Sequence, residues 1–380
     1  MNIKDIRLTP LHCTFKQPYH WSQGVTYGAP VVLIEIETDA GVTGIGECSA
    51  SPTHAPILAI LEDALPRFIG QSIYDVNQLI WSYYQYGFNA KGIGRAPRYF
   101  SQAMAGIELA AWDAIGKQAK LPLHQLLGGK VRDKIEYFGF LQGNTPEEIG
   151  AHSEQLARDG FKVLYVKVGR GNELDIAILR EIRKAVGDRV RLRLDANEAW
   201  DMLNARRMFE ALKPFDPEFI EQPVSASTGP EGLARLRAVT NIPIAADQTV
   251  YSAEDVYDIV RCRSADVIVL GMHETCGILR YRKAAAVAEA AGVNICIHGI
   301  FETGITTAAT IQVAATINNL DNGNQIMWQL LKEDIVSRPN LVPKDGALPV
   351  SNLPGLGFEL NYDAVNRAKD AYAKLRTQVV

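Results

Sequence analysis

The sequence lacks the features of membrane-spanning, disulfide-rich and nucleic-acid-binding proteins. Its most apolar stretches, around residues 31–36 and 284–293, are short or interrupted by Glu289, whereas a membrane span needs about 20 apolar residues. The five cysteines are odd in number and form no Cys-x-x-Cys pair, so neither a disulfide framework nor a zinc site is indicated. With 39 basic and 43 acidic side chains the net charge is −4, which provides no basic surface for nucleic acid or an anionic membrane.

Two further signals are missing. Residues 1–6 carry charges where a signal peptide has its apolar segment, and they lead directly into strand-like sequence. The glycines at 41, 44 and 46 do not have the Gly-x-Gly-x-x-Gly spacing of a phosphate-binding loop, and no helix follows them. We therefore expect a cytoplasmic protein that binds neither membranes nor nucleic acid.

The N-terminal part of the chain predicts an α+β domain. With 380 residues, of which 47% are hydrophobic, the chain has enough apolar material for two or three domains. Residues 31–37 and 42–47 alternate apolar and polar side chains around an Asp/Gly turn, which predicts a β-hairpin. Residues 57–116 then predict helices. We place this domain at residues 1–125.

The middle of the chain alternates short β-rich runs with helical stretches of roughly 10 to 15 residues. The runs are 137–141, 163–168, 190–194, 218–220, 242–245, 266–270 and 294–297, with a weaker eighth near 325–328. Such alternation predicts parallel strands joined by crossover helices, and the count favours a barrel over an open sheet. The predicted fold class is α/β: a modified TIM (β/α) barrel of about seven to eight βα units over residues 126–345, beneath the N-terminal capping domain. Residues 346–380 are expected to return to that cap.

Polar residues end the predicted strands, where the active site of a parallel barrel lies. They are Lys167, Asp195, Glu221, Asp247, Gly271 and His298, separated by 28, 26, 26, 24 and 27 residues. Each interval corresponds to one βα unit. We therefore expect these residues to lie around one rim of the barrel.

Three carboxylates on consecutive strands predict a metal site. Any one of Asp195, Glu221 and Asp247 alone is better explained as a helix N-cap or an ion-pair partner. Three at the same register would repel one another unless a cation offsets their charge. An all-oxygen ligand set favours Mg²⁺, or Mn²⁺, over Zn²⁺.

Lys167 and His298 are the candidate acid–base groups. A lysine near a bound cation has its pKa lowered, which suits a general base, and Tyr165 should point into the barrel beside it. The alternative for Lys167 is a structural ion pair with one of the carboxylates. His298 is placed to act on the opposite face of a substrate; the alternative is a core histidine with satisfied hydrogen bonds.

In their order along the chain, these motifs resemble the enolase superfamily, in particular its mandelate racemase and muconate lactonizing branch. The motifs are GVTGIGE (41–47), AWDAIGK (111–117), LLGG (126–129), LDANEAW (194–200), IEQP (220–223), AD (246–247) and PGLG (354–357). The resemblance implies a homo-oligomeric enzyme that binds a small carboxylate substrate to Mg²⁺, removes the proton α to the carboxylate and stabilises the enediolate. Asp195, Glu221 and Asp247 match its metal ligands, and Lys167 matches the second lysine of its Lys-x-Lys motif.

The chain departs from that family pattern at two strand ends. Tyr165 replaces the first lysine of the motif, and Gly271 stands where relatives carry a lysine or the aspartate that partners the histidine. His273 and Glu274 follow Gly271 and are candidates to orient His298.

The resemblance leaves the reaction open. We expect an acid-sugar dehydratase; the alternatives are a racemase or epimerase, a cycloisomerase, and a non-catalytic metal-binding barrel. Gly271 favours the last alternative, whereas the retained lysine and carboxylates oppose it. The expected substrate contacts are Tyr165, Asn197, Gln329 near the eighth strand, and Tyr19 and His20 in a predicted loop at 18–22 over the barrel mouth.

Overall fold

The computed structural model describes residues 1–22, 24–85 and 97–378. An antiparallel sheet begins the chain, in the order β1 (Ile3–Trp21), β2 (Gly24–Thr38), β3 (Thr43–Ser49). Strands β2 and β3 form the predicted hairpin. Segment 18–22, predicted as a loop, is instead mostly strand, because Tyr19, His20 and Trp21 pair with the start of β2 and this pairing satisfies their backbone groups.

Helices α1 (His54–Phe68) and α3 (Pro97–Ala119) cover the sheet, and α2 (Val76–Gln85) packs against α3. Helix α1 buries Ile57, Leu61, Ala64 and Phe68, a spacing of three and four residues that places them on one face. Helix α3 runs so close to β3 that a Cβ on Gly44 would lie 2.0 Å from the Ala110 carbonyl oxygen. Within the predicted helical range, residues 86–96 lie outside the described part of the chain.

Seven parallel strands form the barrel sheet, and each lies next to its neighbours along the chain. A short helix α4 (Leu123–Leu126) and a strand β4 (Lys134–Glu136) precede them. The seven strands are β5 (Gly139–Phe140), β6 (Val163–Lys167), β7 (Arg191–Asp195), β8 (Phe219–Glu221), β9 (Ile244–Ala246), β10 (Val267–Gly271) and β11 (Asn294–His298). The helices that alternate with them are α5 (Pro146–Arg158), α6 (Asn172–Val186), α7 (Met202–Leu212), α8 (Gly229–Arg237), α9 (Ala253–Cys262), α10 (Ile278–Ala290) and α11 (Gly304–Ala314).

The eighth barrel position is filled by an irregular segment, residues 320–325. Its Gln325 N–H donates to the Ile297 carbonyl at 3.0 Å, while its Asn324 carbonyl accepts from the Phe138 N–H at 3.1 Å. The segment therefore joins β11 to the chain just before β5. The eighth run lies a few residues earlier than predicted, since Trp328–Leu330 form a 3₁₀ turn.

The C-terminal part packs back onto the cap. Strands β12 (Val336–Arg338) and β14 (Glu359–Leu360) pair with each other, β13 (Ala347–Pro349) pairs with β4, and α12 (Tyr362–Gln378) packs against β1. None of the helices in the described ranges is both long and apolar enough to cross a bilayer. The predicted architecture, a parallel β/α barrel beneath an α+β cap, is confirmed.

Candidate active site at the carboxyl ends of the barrel strands

The parallel register brings the predicted strand-end residues to one level. Lys167 pairs with Asp195, and Asp195 with Glu221, across neighbouring strands. Asp247 directly follows β9, and Gly271 pairs with His298. The exposed fractions of Lys167, Asp195, Glu221 and Asp247 are 8%, 0%, 3% and 2%. Four charged groups are thus buried together, which requires close mutual compensation.

A cavity of about 1090 Å³ opens at this level, between barrel and cap. Lys167, Asn197 and His298 line it from the barrel, and Tyr19 and Trp21 line it from β1. The carboxylates lie directly behind this lining, where Asp195 contacts Lys167 and Asp247 contacts His298.

Three predicted substrate contacts are not among the described residues that line the cavity: Tyr165, which is 1% exposed and donates its hydroxyl to Asp195, His20 and Gln329. His20 is not among the described residues that line the cavity, since successive side chains of a strand point to opposite faces and its neighbours Tyr19 and Trp21 take the cavity side. Gln329 is also absent from the lining; its Nε2 donates to the Ile326 carbonyl at 2.8 Å. Gln325, at the end of the irregular eighth segment, lines the cavity instead.

Asp195 is the centre of a hydrogen-bonded group beside Lys167. It accepts from the Tyr165 hydroxyl at 2.5 Å and the Asn197 backbone N–H at 2.7 Å, and it forms an ion pair with Lys167. The Tyr165 hydroxyl also lies 3.1 Å from Glu221 Oε1. Burial lowers the pKa of Lys167, but Asp195, Tyr19 and Glu221 together outweigh it, and the pKa is raised above its ordinary value. The lowered pKa expected from the sequence is not found because an anion contacts the ammonium group.

His298 is held by a carboxylate from the loop after β10. Its Nδ1 lies 2.6 Å from Glu274 Oε2 and 3.6 Å from Asp247 Oδ1. Burial lowers the pKa of His298, but Asp247 and Glu274 together raise it to about 10. His273, the other candidate to orient it, instead contacts the Thr306 hydroxyl at 2.9 Å.

The cap supplies a cation that sequence reasoning missed. Arg98, at the start of α3, lies with Nη2 3.3 Å from Glu274 Oε1 and lines the cavity. Burial raises the pKa of Glu274, whereas His298 and Arg98 lower it, with a net value of about 2. No sequence motif links Arg98 to Glu274, because the two residues lie in different predicted domains.

The buried carboxylates fit a hard divalent cation. Burial, then Asp195 and Asp247, raise the pKa of Glu221 well above its ordinary value, and burial raises the pKa of Asp247 to about 7. Negative charge is therefore in excess here, and the donors are all oxygen, as Mg²⁺ prefers. Asp195, Glu221 and Asp247 would hold such an ion.

A second cluster overlaps with this trio. The ligand atoms of Asp247, Glu274 and His298 lie within 4.8 Å of one another, the one such group of three among the described residues. We favour the carboxylate trio for the metal, because Glu274 is already engaged by His298 and by the Arg98 cation, which would repel a metal ion.

A capped β/α barrel with a lysine and a histidine around buried carboxylates defines a class of acid–base enzymes. The family described as Enolase C-terminal domain-like matches residues 148–365, and the Mandelate racemase / muconate lactonizing enzyme, N-terminal domain, matches residues 4–128. The chain belongs to the enolase superfamily, in its mandelate racemase and muconate lactonizing branch. The resemblance drawn from the motifs is confirmed.

Its relatives catalyse different reactions. The L-Ala-D/L-Glu epimerase of Bacillus subtilis is 30% identical over 371 residues, 94% of this chain and 97% of that protein. The D-galactonate dehydratase of Pectobacterium atrosepticum is 29% identical over 381 residues, 94% of each chain. The crystal structure of a dipeptide epimerase from Cytophaga hutchinsonii, complexed with Mg and D-Ala-L-Val, superposes with a TM-score of 0.89 at 25% identity and covers 97% of this chain and 98% of that one. The expectation of an isomerase or lyase is confirmed.

Proposed function

We propose that this enzyme removes the proton α to the carboxylate of a small acid, with Lys167 and His298 acting on opposite faces of the α-carbon. The observation that carries the proposal is that both side chains line one cavity and each contacts a buried carboxylate. A buried acid–base group with a fixed partner is held in one orientation, as general acid–base catalysis requires.

The sheet order supports the two-face arrangement. Strands β7 to β10 separate β6 from β11 on one side, and β5 with segment 320–325 separates them on the other. Lys167 and His298 therefore project from nearly opposite parts of the rim. The α-carbon of an acid bound between them would lose its proton on one face to Lys167, in the neutral amine form that a cation held by Asp195 would favour. The planar carbon that results would be open to proton delivery on the other face.

We propose Mg²⁺ as the cofactor, held by Asp195, Glu221 and Asp247; Mn²⁺, with similar ligand preferences, is the alternative. When bound, the ion supplies electrostatic stabilisation of the charge that develops on the substrate carboxylate. The Mg in the related dipeptide epimerase supports this choice. The remaining chemistry belongs to the side chains that orient the acid and move its proton.

Dehydration of an acid sugar is the leading outcome. Glu274 and Asp247 raise the pKa of His298 and so favour the imidazolium, a form suited to protonate a hydroxide that leaves from the β-carbon. The second candidate is epimerisation, in which the same proton goes to the α-carbon. The match to epimerases of dipeptides favours this second outcome.

The test is exchange of the substrate α-proton in D₂O across a library of acid sugars and dipeptides. Lys167→Ala should lose about 10² to 10⁴ of the exchange rate. The matched control is Lys162→Ala, because Lys162 precedes β6 at its other end and its side chain is 74% exposed.

The His298→Asn variant separates the two outcomes. In a dehydratase it should stop net turnover and leave Lys167-dependent exchange measurable, whereas in an epimerase it should lose exchange from one stereoisomer. Wild-type exchange in both Lys167→Ala and His298→Asn would overturn the proposal. Absence of exchange with every acid tested would favour a non-catalytic barrel.

A further inference from the structure

The loop after β10 places the Glu274 carboxylate beside Gly271, the strand-end residue that has no side chain of its own. We infer that Glu274 is the positioning residue for His298, and that position 271 is glycine because the Glu274 carboxylate occupies the space of its side chain. The inference rests on the proposed function, in which His298 serves one face of the substrate.

The geometry at Gly271 carries the inference. A Cβ on Gly271 would lie 2.5 Å from Glu274 Oε2 and 3.3 Å from His298 Nδ1. Real Cβ atoms essentially never come as close to another atom as the first of these distances. A side chain at 271 would therefore displace the Glu274 carboxylate from the imidazole that it holds at 2.6 Å.

The backbone after β10 aims Glu274 back at the strand end. The Thr275 N–H and hydroxyl donate to the Gly271 carbonyl at 2.9 and 2.8 Å, and the Gly277 N–H donates to the Met272 carbonyl at 2.9 Å. This turn folds the loop over the end of β10. Glu274 is consequently 5% exposed, although it lies in a loop.

The two Glu274 oxygens contact different domains. Oε2 faces His298 of the barrel, and Oε1 faces Arg98 of the cap at 3.3 Å. With one oxygen on each partner, rotation of the carboxylate is restricted on both sides. The Nδ1 of His298 is engaged by Glu274, which leaves Nε2 as the ring nitrogen available to a substrate.

The first experiment moves the carboxylate from position 274 to position 271. Glu274→Ala should lower kcat of the His298-dependent reaction by about 10- to 100-fold, the usual effect of removing an orienting partner, with little change in KM and in Lys167-dependent exchange. Gly271→Asp alone should also lose activity, because its side chain overlaps with Glu274. The double variant Gly271→Asp/Glu274→Ala should recover much of kcat, because it places one carboxylate in the vacated space.

The second experiment is independent of turnover. In the wild-type protein, proton NMR should show a slowly exchanging imidazole N–H that disappears in His298→Asn. This signal should be lost in Glu274→Ala and return in the double variant. Because it needs no substrate, it tests the positioning role even if no acid undergoes exchange and the proposed function fails.

Two results would overturn the inference. One is a Glu274→Ala variant that keeps both the His298 N–H signal and wild-type kcat. The other is a loss of bound metal from Glu274→Ala with the N–H signal retained, which would make Glu274 a metal ligand with Asp247 and His298.

Discussion

Replacing Lys167 by methionine should destabilise the metal-free protein in addition to removing the proposed base. Methionine keeps much of the length of the lysine side chain without its charge. Asp195 is 0% exposed and Lys167 8% exposed, so the substitution leaves a buried carboxylate without its cation. Asp247, whose pKa is raised to about 7, then adds to the repulsion as it ionises.

The magnitude follows from the contacts that remain. Removing one partner of a buried ion pair costs about 3–5 kcal/mol. The Tyr165 hydroxyl and the Asn197 N–H still donate to Asp195 in the variant, and the desolvation cost of Lys167 disappears. We therefore expect the lower end of that range, a loss of about 3 kcal/mol in the free energy of unfolding.

Urea unfolding at neutral pH in the presence of a chelator measures this loss. The matched control is the double variant Lys167→Met/Asp195→Asn, which should recover most of the stability because no unpaired charge remains, so the double-mutant cycle should show strong coupling. Excess Mg²⁺ should also restore stability to Lys167→Met, because a ligand that binds the folded state stabilises it. The reasoning is refuted if Lys167→Met matches the wild type in chelator and the two substitutions are additive.

Two further predictions concern other buried acids. Glu221→Gln should abolish Mg²⁺-dependent turnover and leave the circular dichroism spectrum unchanged; full activity after exhaustive metal removal would end the metal assignment. Glu108 lies on α3 and faces the start of α10. Burial raises its pKa from 4.5 to about 7, and its Oε2 has no hydrogen-bond partner among the described residues. Because the folded state holds the Glu108 proton more tightly than the unfolded state does, its contribution to the free energy of unfolding is complete below pH 4.5 and is lost as pH rises through 7. The total loss is about 3 kcal/mol. Glu108→Gln should therefore reduce the fall in urea midpoint between about pH 5 and 8, and an unchanged fall would contradict this assignment.

The barrel and its strand-end residues were predictable from local pattern. Each strand is a short buried run followed by a polar residue, and parallel strands with crossover helices bring those ends to one side of the sheet. For this reason the sequence alone predicts that Lys167, Asp195 and Glu221 lie in adjacent positions. The domain boundaries and the roles of the site residues remain predictions.

Contacts between distant segments were not predictable in the same way. The sequence shows that Gly271 departs from the family pattern, and it predicts either His273 or Glu274 as the partner of His298. The turn after β10 decides between them, because it returns Glu274 to the strand end and directs His273 to Thr306. Likewise, pairing with β2 decides that segment 18–22 is strand and that Tyr19, not His20, faces the cavity.

The sequence by itself determined which residue types end the strands, because buried-run length and spacing are properties of the local chain. Tertiary structure alone decided the charge state and orientation of those groups. The pKa of Lys167 depends on the distance to Asp195, and the reach of Arg98 to Glu274 depends on how the cap lies on the barrel. Electrostatic interactions act through space and vary with distance and burial, so sequence spacing does not specify them.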